Sequence, residues 1–433
     1  MKRLLLIVCM MVILGSNLAA SDSSWIRINQ LGYLPKGSKV AVFGSKSTHA
    51  ITSFQLINVA TQKVVLQAAA GKNFGSYGPF KTTYRLNFSS VVQSGQYYLK
   101  AGTVVSPVFR IDSSVYNGTA DFCLQYMRQQ RSGFNPFLND SCHTHDGYTL
   151  YGTSAGIKDS TKIDASGGWH DASDYLQYSS TTANATFHLL AAYSHFPHVF
   201  ADQYEWNGLK GKNNRSDILD EAKWGLDWLV KMHPRKDWMF NQLADDRDHM
   251  SMRIPKEDNY YGRGFERPVY FINGQPQQRG KFLNSTTGTS STAAKFSAAF
   301  TLAAAIFKTT PFAKLYEEKA SSAYQFSLIK RGVTQTASVR SPYIYAEENW
   351  VDDMELATAM LAKANKLSIN TAYEYAKQEP LTPWLGKDTA SHYQWYPFIN
   401  LGHYELAKQL KGTQRDTVIQ FYKNGIEAVW QKA

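Results

Sequence analysis

The stretch Asp217-Ile-Leu-Asp-Glu-Ala-Lys-Trp-Gly-Leu-Asp-Trp-Leu-Val-Lys-Met232 decides the kind of protein this is. Ile218, Ala222, Leu226, Leu229 and Val230 recur at the spacing of one helix face. Asp217, Asp220 and Glu221 crowd the end where the helix dipole is positive, and Lys231 followed by His233-Pro234 closes the other end. The same period runs through the rest of the chain after Ser113. It predicts helices over 115–131, 180–196, 290–307, 312–330, 350–366, 369–378, 391–411 and 414–430. Thr310-Pro311 supplies a cap and a first-turn proline for one of them. Antiparallel helices joined by loops rich in Gly, Asp and aromatic residues read as an all-α barrel over 114–433, with function on the loops.

Upstream the period is two. Short runs, IRINQ from Ile26, KVAVFG from Lys39, FQLINV from Phe54, KVVLQA from Lys63, TYRLNF from Thr83, GQYYLKA from Gly95 and SPVFRI from Ser106, are separated by Gly, Pro, Ser and Asn turns. About seven strands in some 90 residues predict an all-β sandwich of immunoglobulin type over 24–113, without an inter-sheet disulfide. Ahead of it, Lys2 and Arg3 precede the apolar run Leu4–Leu14 and the small residues Ala19 and Ala20. Residues 1–20 therefore read as a secretory signal peptide, which predicts a secreted or periplasmic protein. No later segment approaches the ~20 apolar residues that a membrane span needs.

With 433 residues, 43% hydrophobic and 19% charged, the composition excludes a disordered chain or a coiled coil. The net charge of +11 comes from scattered Lys and Arg with no run of five, so nucleic acid is not the expected partner. Once Cys9 leaves with the signal, Cys123 and Cys142 remain; export permits a bond between them, but two cysteines cannot staple a small domain. The aromatic share of 14%, with 26 Tyr and 10 Trp, suits surfaces that stack flat ligands such as sugars.

Two clusters carry chemistry. In Gly167-Gly168-Trp169-His170-Asp171-Ala172-Ser173-Asp174-Tyr175 two carboxylates stand three apart, the glycines let backbone approach a ligand, and Trp169 offers a stacking face. Such a pair can divide its labour, one carboxylate taking a proton from water and the other orienting it; equally, both could cap the following helix. In Cys142-His143-Thr144-His145-Asp146, Cys142 and His143 are candidate zinc ligands, with a hydrogen-bonded loop as the alternative.

Gly167–Tyr175 resembles the GGW-aromatic/His-DAGD motif of family nine glycoside hydrolases, the inverting cellulases. The resemblance extends to LDEAKWGLDWLVKMH (219–233), NQLADDRDH (241–249), QQRSG (129–133), CHTHDGY (142–148), NWVDDMELA (349–357) and INQLGYLP (28–35), the last being similar to the immunoglobulin-like domain that precedes the catalytic domain in one branch of the family. It implies hydrolysis of β-1,4-glucan, with Asp174 as general base and Asp171 holding it. Trp169, His170, His249, Arg267, Trp350, Trp395 and Tyr396 would line the cleft. For any one Trp, core packing is the other reading, and it is preferred for Trp224 and Trp228 inside their amphipathic helix. The chemistry needs no cofactor; a structural zinc or a calcium ion is compatible with the family, although Ser132 stands where its zinc site has a second cysteine. The family's general acid is a Glu in an Asn-Glu pair near the last helix. This sequence contains no Asn-Glu dipeptide, and its nine helical stretches fall short of the family's twelve, so the last hairpins of an (α/α)6-type barrel are expected to be missing. A β-glucan-binding protein without turnover is the alternative function.

Overall fold

Alternating burial builds the first unit. Its strands are β1 (Ser24–Arg27), β2 (Val40–Ser45), β3 (Ser53–Asn58), β4 (Val64–Ala69), β5 (Thr82–Asn87), β6 (Gly95–Ala101), β7 (Val104–Val105) and β8 (Phe109–Ile111). In the computed structural model, which describes residues 23–432 except 173, 249–250, 252, 259–265, 341–343 and 381–400, they form two antiparallel sheets. One has the order β1-β2-β5 and the other β4-β3-β6-β7, with β8 also on β6. Ala41, Phe43, Tyr84 and Leu86 point inward while Val42 and Arg85 point out, the alternation that a half-buried strand requires. Phe43, Phe54, Leu56, Phe88, Tyr97 and Leu99 fill the space between the sheets. The expected sandwich is present, with β7 as an addition. The signal-peptide residues lie outside the described residues.

The chain divides into two compact units between Thr119 and Ala120. The second contains, among the described residues, the helices α1 (Thr119–Gln129), α2 (Ser179–His195), α3 (Asp217–Met232), α4 (Ser290–Ile306), α5 (Phe312–Ser327), α6 (Val351–Lys363), α7 (Ile369–Ala376), α8 (Leu401–Ala407) and α9 (Gly412–Lys432). Each falls within or near a predicted stretch. At the centre lies α4, which packs against α2, α5 and α6. Its residues Ser290 to Ala303 are all buried, which its small side chains permit. No described helix is long and apolar enough to cross a membrane.

The expectation of an all-α second unit needs correction. A ribbon of β9 (Gly133–Asn135) and β10 (Asp140–Cys142) and a four-stranded mixed sheet are set among the helices. The sheet joins β11 (Tyr148–Leu150), β12 (Gln177–Tyr178), β13 (Phe240–Leu243) and β14 (Pro268–Phe271) in the order β11-β14-β13-β12. These strands are two to four residues long, and all residues of β13 and β14 are buried. A fully buried strand shows no alternation, so periodicity passes over it.

His233 ends α3 and ties it to α5. Its Nδ1 donates to the Trp238 carbonyl at 2.7 Å, because that oxygen can only accept, and its Nε2 accepts from Ser322 Oγ at 2.7 Å. Burial pushes its pKa down from 6.5 to about 4. The unfolded chain therefore binds a proton at His233 first, and stability present above pH 6.5 is lost as pH falls toward 4, by roughly 3 kcal/mol in all. His233→Gln should flatten the acid limb of a plot of melting temperature against pH; an unchanged limb would show that other groups govern it.

Candidate active site

Three consecutive side chains of the loop before α2 go three ways. Trp169 turns inward. It is 5% exposed, its Nε1 donates to Glu221 Oε1 at 2.8 Å, and its ring occupies the space that a Cβ on Gly225 of α3 would need. His170 is 6% exposed, with Nε2 3.6 Å from Cys142 Sγ and Nδ1 3.3 Å from the Tyr175 carbonyl. Asp171, half-buried, receives a short hydrogen bond on Oδ2 from the Tyr345 hydroxyl, and Thr181 Oγ1 stands 3.5 Å from its Oδ1. Asp174 sits half-buried later in the loop, close enough for its charge to act on Tyr178 and Tyr345. Burial, then the charge of Asp171, pushes the Tyr345 phenol far up, so it stays protonated and donates. The Tyr345 ring meets Tyr178 of β12 edge-on at 4.2 Å.

The loop is held along its backbone. Gln130 O accepts from His170 N at 2.8 Å, Gly168 O accepts from Trp224 Nε1 at 2.8 Å, and Asp171 N bonds Leu176 O at 2.8 Å. Gly168 has φ +75°, and a Cβ there would lie 2.7 Å from the Trp228 ring. Its freedom serves packing against α3 rather than approach to a ligand.

Arg267 fastens the loop to the sheet. Fully buried before β14, it pairs with Asp146 through Nε at 3.0 Å and Nη2 at 2.8 Å, while its own amide donates to Asp146 Oδ1 at 2.9 Å. Its Nη2 also reaches Gln177 Oε1 at 2.6 Å, and Nη1 donates a short bond to the Tyr175 carbonyl. Asp248 Oδ2 is 3.8 Å from Nη1. Burial alone would lower the guanidinium pKa; Asp146 and Asp248 outweigh it and raise it.

Comparison with known proteins gives these carboxylates a context. Residues 116–432 match the profile described as glycosyl hydrolase family 9, and residues 21–106 match that of a cellulase N-terminal ig-like domain. The chain belongs to glycosyl hydrolase family 9. It is 25% identical over 418 residues to endoglucanase D of Acetivibrio thermocellus, covering 93% of this chain and 61% of that protein. A xyloglucan-specific endo-beta-1,4-glucanase of Bacteroides ovatus is 29% identical over 221 residues, covering 49% of this chain and 37% of that one. A solved metagenome-derived glycoside hydrolase family 9 endoglucanase superposes with a TM-score of 0.70 at 26% identity, covering 94% of this chain and 73% of its own. The chain thus spans about three-fifths of the length of the first of these curated relatives.

In this family 9 chain several expected cleft residues take other roles. Trp169 and His170 are buried as described, and Arg267 has no exposed surface from which to meet a sugar. Trp350 is half-buried at the start of α6, packed on the helical core with Tyr375 edge-on at 6.2 Å. His249, Trp395 and Tyr396 lie outside the described residues. Trp228 packs in the core as expected, whereas Trp224 is half-buried with Arg131 4.3 Å over its ring; both indoles donate to backbone carbonyls. Tyr345 is the residue that sequence reading passed over. Glu347 faces inward and pairs with Lys295 at 2.6 Å.

Cys142 and His143 do come together, and His170 joins them: one ligand atom of each lies within 4.8 Å of the others, all buried. His143 Nε2 meets Asp258 Oδ2 at 2.9 Å, which leaves Nδ1 buried without a hydrogen-bond partner, as is the neighbouring Ser132 Oγ. Tetrahedral zinc with Zn–S near 2.3 Å and Zn–N near 2.1 Å would set sulfur and nitrogen about 3.6 Å apart, which is the Cys142–His170 separation of 3.6 Å. Burial pushes the free thiol up to about 11, so an ion would have to displace its proton. Cys123 is exposed, and neither cysteine is in a disulfide.

Replacing Arg267 by Met leaves Asp146 charged and buried without its partner. Urea unfolding of the second unit should then shift by an equivalent of about 3–5 kcal/mol. A shift below about 1 kcal/mol would mean that Asp146 finds compensation elsewhere.

Proposed function

We propose that this chain is an exported glycoside hydrolase that cleaves internal β-1,4-glucosidic bonds of cellulose or a related β-glucan with inversion. The reading rests on family membership and on one observation, the Asp171 carboxylate clasped by Tyr345 on the loop it shares with Asp174. Asp171, fixed by Tyr345, can orient water toward Asp174. Asp174 takes one proton from that water as its oxygen bonds the anomeric carbon and the glycosidic C–O bond breaks. In inverting chemistry the acid and base carboxyls stand ~6.5–9.5 Å apart so that water fits on the face opposite the leaving group. The departing sugar oxygen needs a proton, and this sequence holds no Asn-Glu pair to give it. Protonation of the leaving group is thus the step this polypeptide serves least well. The names of its relatives, endoglucanase D and a xyloglucan-specific endoglucanase, support a β-glucan substrate.

Base help to the water and acid help to the leaving group separate in one experiment. An aryl β-cellobioside whose phenolate leaves without protonation should be turned over, while reducing-sugar release from carboxymethyl-cellulose is slower by about 10²–10⁴. Asp174→Asn should abolish aryl turnover yet keep β-glucan affinity in native gels. Turnover retained in Asp174→Asn removes Asp174 from the base role, and glucan binding with no turnover of either substrate favours a binding protein.

We also propose that Cys142, His143 and His170 hold a structural zinc ion, with Ser132 or water completing the shell. When bound, zinc would supply a crosslink between β10 and the Asp171 loop and take no part in bond cleavage. Asp258 holds the His143 ring through Nε2, and the Tyr175 carbonyl holds that of His170 through Nδ1. Purified protein should carry about one zinc per chain by elemental analysis, lost in Cys142→Ser. Zinc content indistinguishable between the two proteins would overturn the assignment.

A further inference from the structure

The net charge of the chain is not spread over it. Between residues 23 and 111 there are ten lysines and arginines and no aspartate or glutamate, whereas from 112 to 433 the 34 cationic side chains are balanced by 34 carboxylates. The excess sits on the β-sandwich, and part of it is organised on the outer face of the β1-β2-β5 sheet. Strand register places Arg27, Val42 and Arg85 side by side across the three strands, and Trp25, Gly44 and Thr83 in the next row. Phe80 lies over Gly44, where a Cβ would come 3.0 Å from its ring, and meets Trp25 edge-on at 5.9 Å. With no carboxylate on these strands, the cations lie over rings. Arg27 and Lys46 are 5.8 and 5.5 Å from the centre of Trp25, and Arg85 and Lys72 are 4.6 and 5.6 Å from that of Phe74. Phe74 is 46% exposed and Val42 is 42% exposed.

We infer that this face is a docking surface for an acidic polysaccharide, a chain of uronate-bearing sugars. Aromatic rings and Val42 present the flat apolar strip on which a pyranose C–H face stacks. Arg27 and Arg85, about two strand spacings or ~10 Å apart, flank that strip with forked donors suited to carboxylates. A β-sandwich that carries ten cations and no carboxylate between residues 23 and 111 favours a polyanion over a neutral glycan. The choice of a glycan over other polyanions rests on the family 9 assignment of the same chain, and not on turnover, so it is tested by binding alone.

The test uses the full chain in native affinity gels containing polygalacturonate or neutral hydroxyethyl cellulose. Retardation by polygalacturonate should fall steeply as salt rises from about 50 to about 500 mM, whereas retardation by the neutral polymer should not. Arg27→Gln with Arg85→Gln should weaken polygalacturonate binding about fivefold. Lys63→Gln with Lys100→Gln, which removes the same charge from the other sheet, should change it less than about twofold. Lys46→Gln with Lys72→Gln repeats the first comparison should the arginine pair lower the melting temperature. Equal losses in both sheets would reduce the effect to net charge and overturn the proposal. So would an absence of polygalacturonate binding, or binding to single-stranded DNA or phosphatidylserine vesicles as tight as to polygalacturonate.

Discussion

A guanidinium withdrawn from water governs the second unit. Arg267 has no exposed surface, and burying its charge costs several kcal/mol unless a carboxylate and further acceptors surround it. Asp146 supplies a two-pronged pair, Gln177 and the Tyr175 carbonyl take the remaining donors, and Asp248 adds a more distant negative charge. These partners come from three separate parts of the sequence, around residues 146, 175–177 and 248. Satisfying one cation therefore forces the segment before β11, the strand β12, the Asp171 loop and the turn after β13 to meet. The loop has little regular structure of its own, and its geometry follows from that demand.

A second buried cation is connected to Asp171 through the segment that carries Tyr345. Lys295 projects from α4 and pairs with Glu347 and Asp353. Gln335 holds the Glu347 carbonyl at 2.8 Å, and Thr336 Oγ1 accepts from Tyr345 N at 2.7 Å. Glu347 is thus pinned two residues beyond Tyr345, whose hydroxyl reaches Asp171. The most buried helix of the unit is thereby coupled to a carboxylate that reaches solvent. Proton placement along the way is simple: burial and the neighbouring carboxylate keep the phenol protonated, so Tyr345 donates and Asp171 accepts.

Much of this was legible beforehand, and the failures share a physical cause. Helix α3 was readable to the residue because its apolar stripe, acidic start and His-Pro stop agree. The four-stranded sheet was not, since Gln177-Tyr178 and Pro268–Phe271 are too short and too uniformly buried to show a period. Trp169, His170 and Asp171 were read as one cluster because they are adjacent. Along extended backbone, however, successive side chains point apart, and each found a different partner. Arg267, expected at the cleft, is buried instead, because its hydrogen-bond partners lie from 90 to 121 residues away in the sequence. The cluster of Cys142, His143 and His170 was two-thirds visible, since His170 lies 28 residues from Cys142.

Separation of charge between the units has a physical logic. A base that must stay ionised beside a neutral sugar is disturbed by any nearby excess of cations, because an opposite charge within a few ångströms lowers a carboxylate's pKa and its basicity. The second unit has matched charges, and its arginines at the site are committed to named carboxylates: Arg267 to Asp146, Arg253 to Asp248 and Asp258. The β-sandwich, in contrast, holds ten cations and no carboxylate between residues 23 and 111. The fully buried Lys39 fits the same pattern: it has no carboxylate partner among the described residues, and its ammonium donates to the carbonyls of Leu34, Pro35 and Gly37 at 3.3, 2.6 and 2.8 Å.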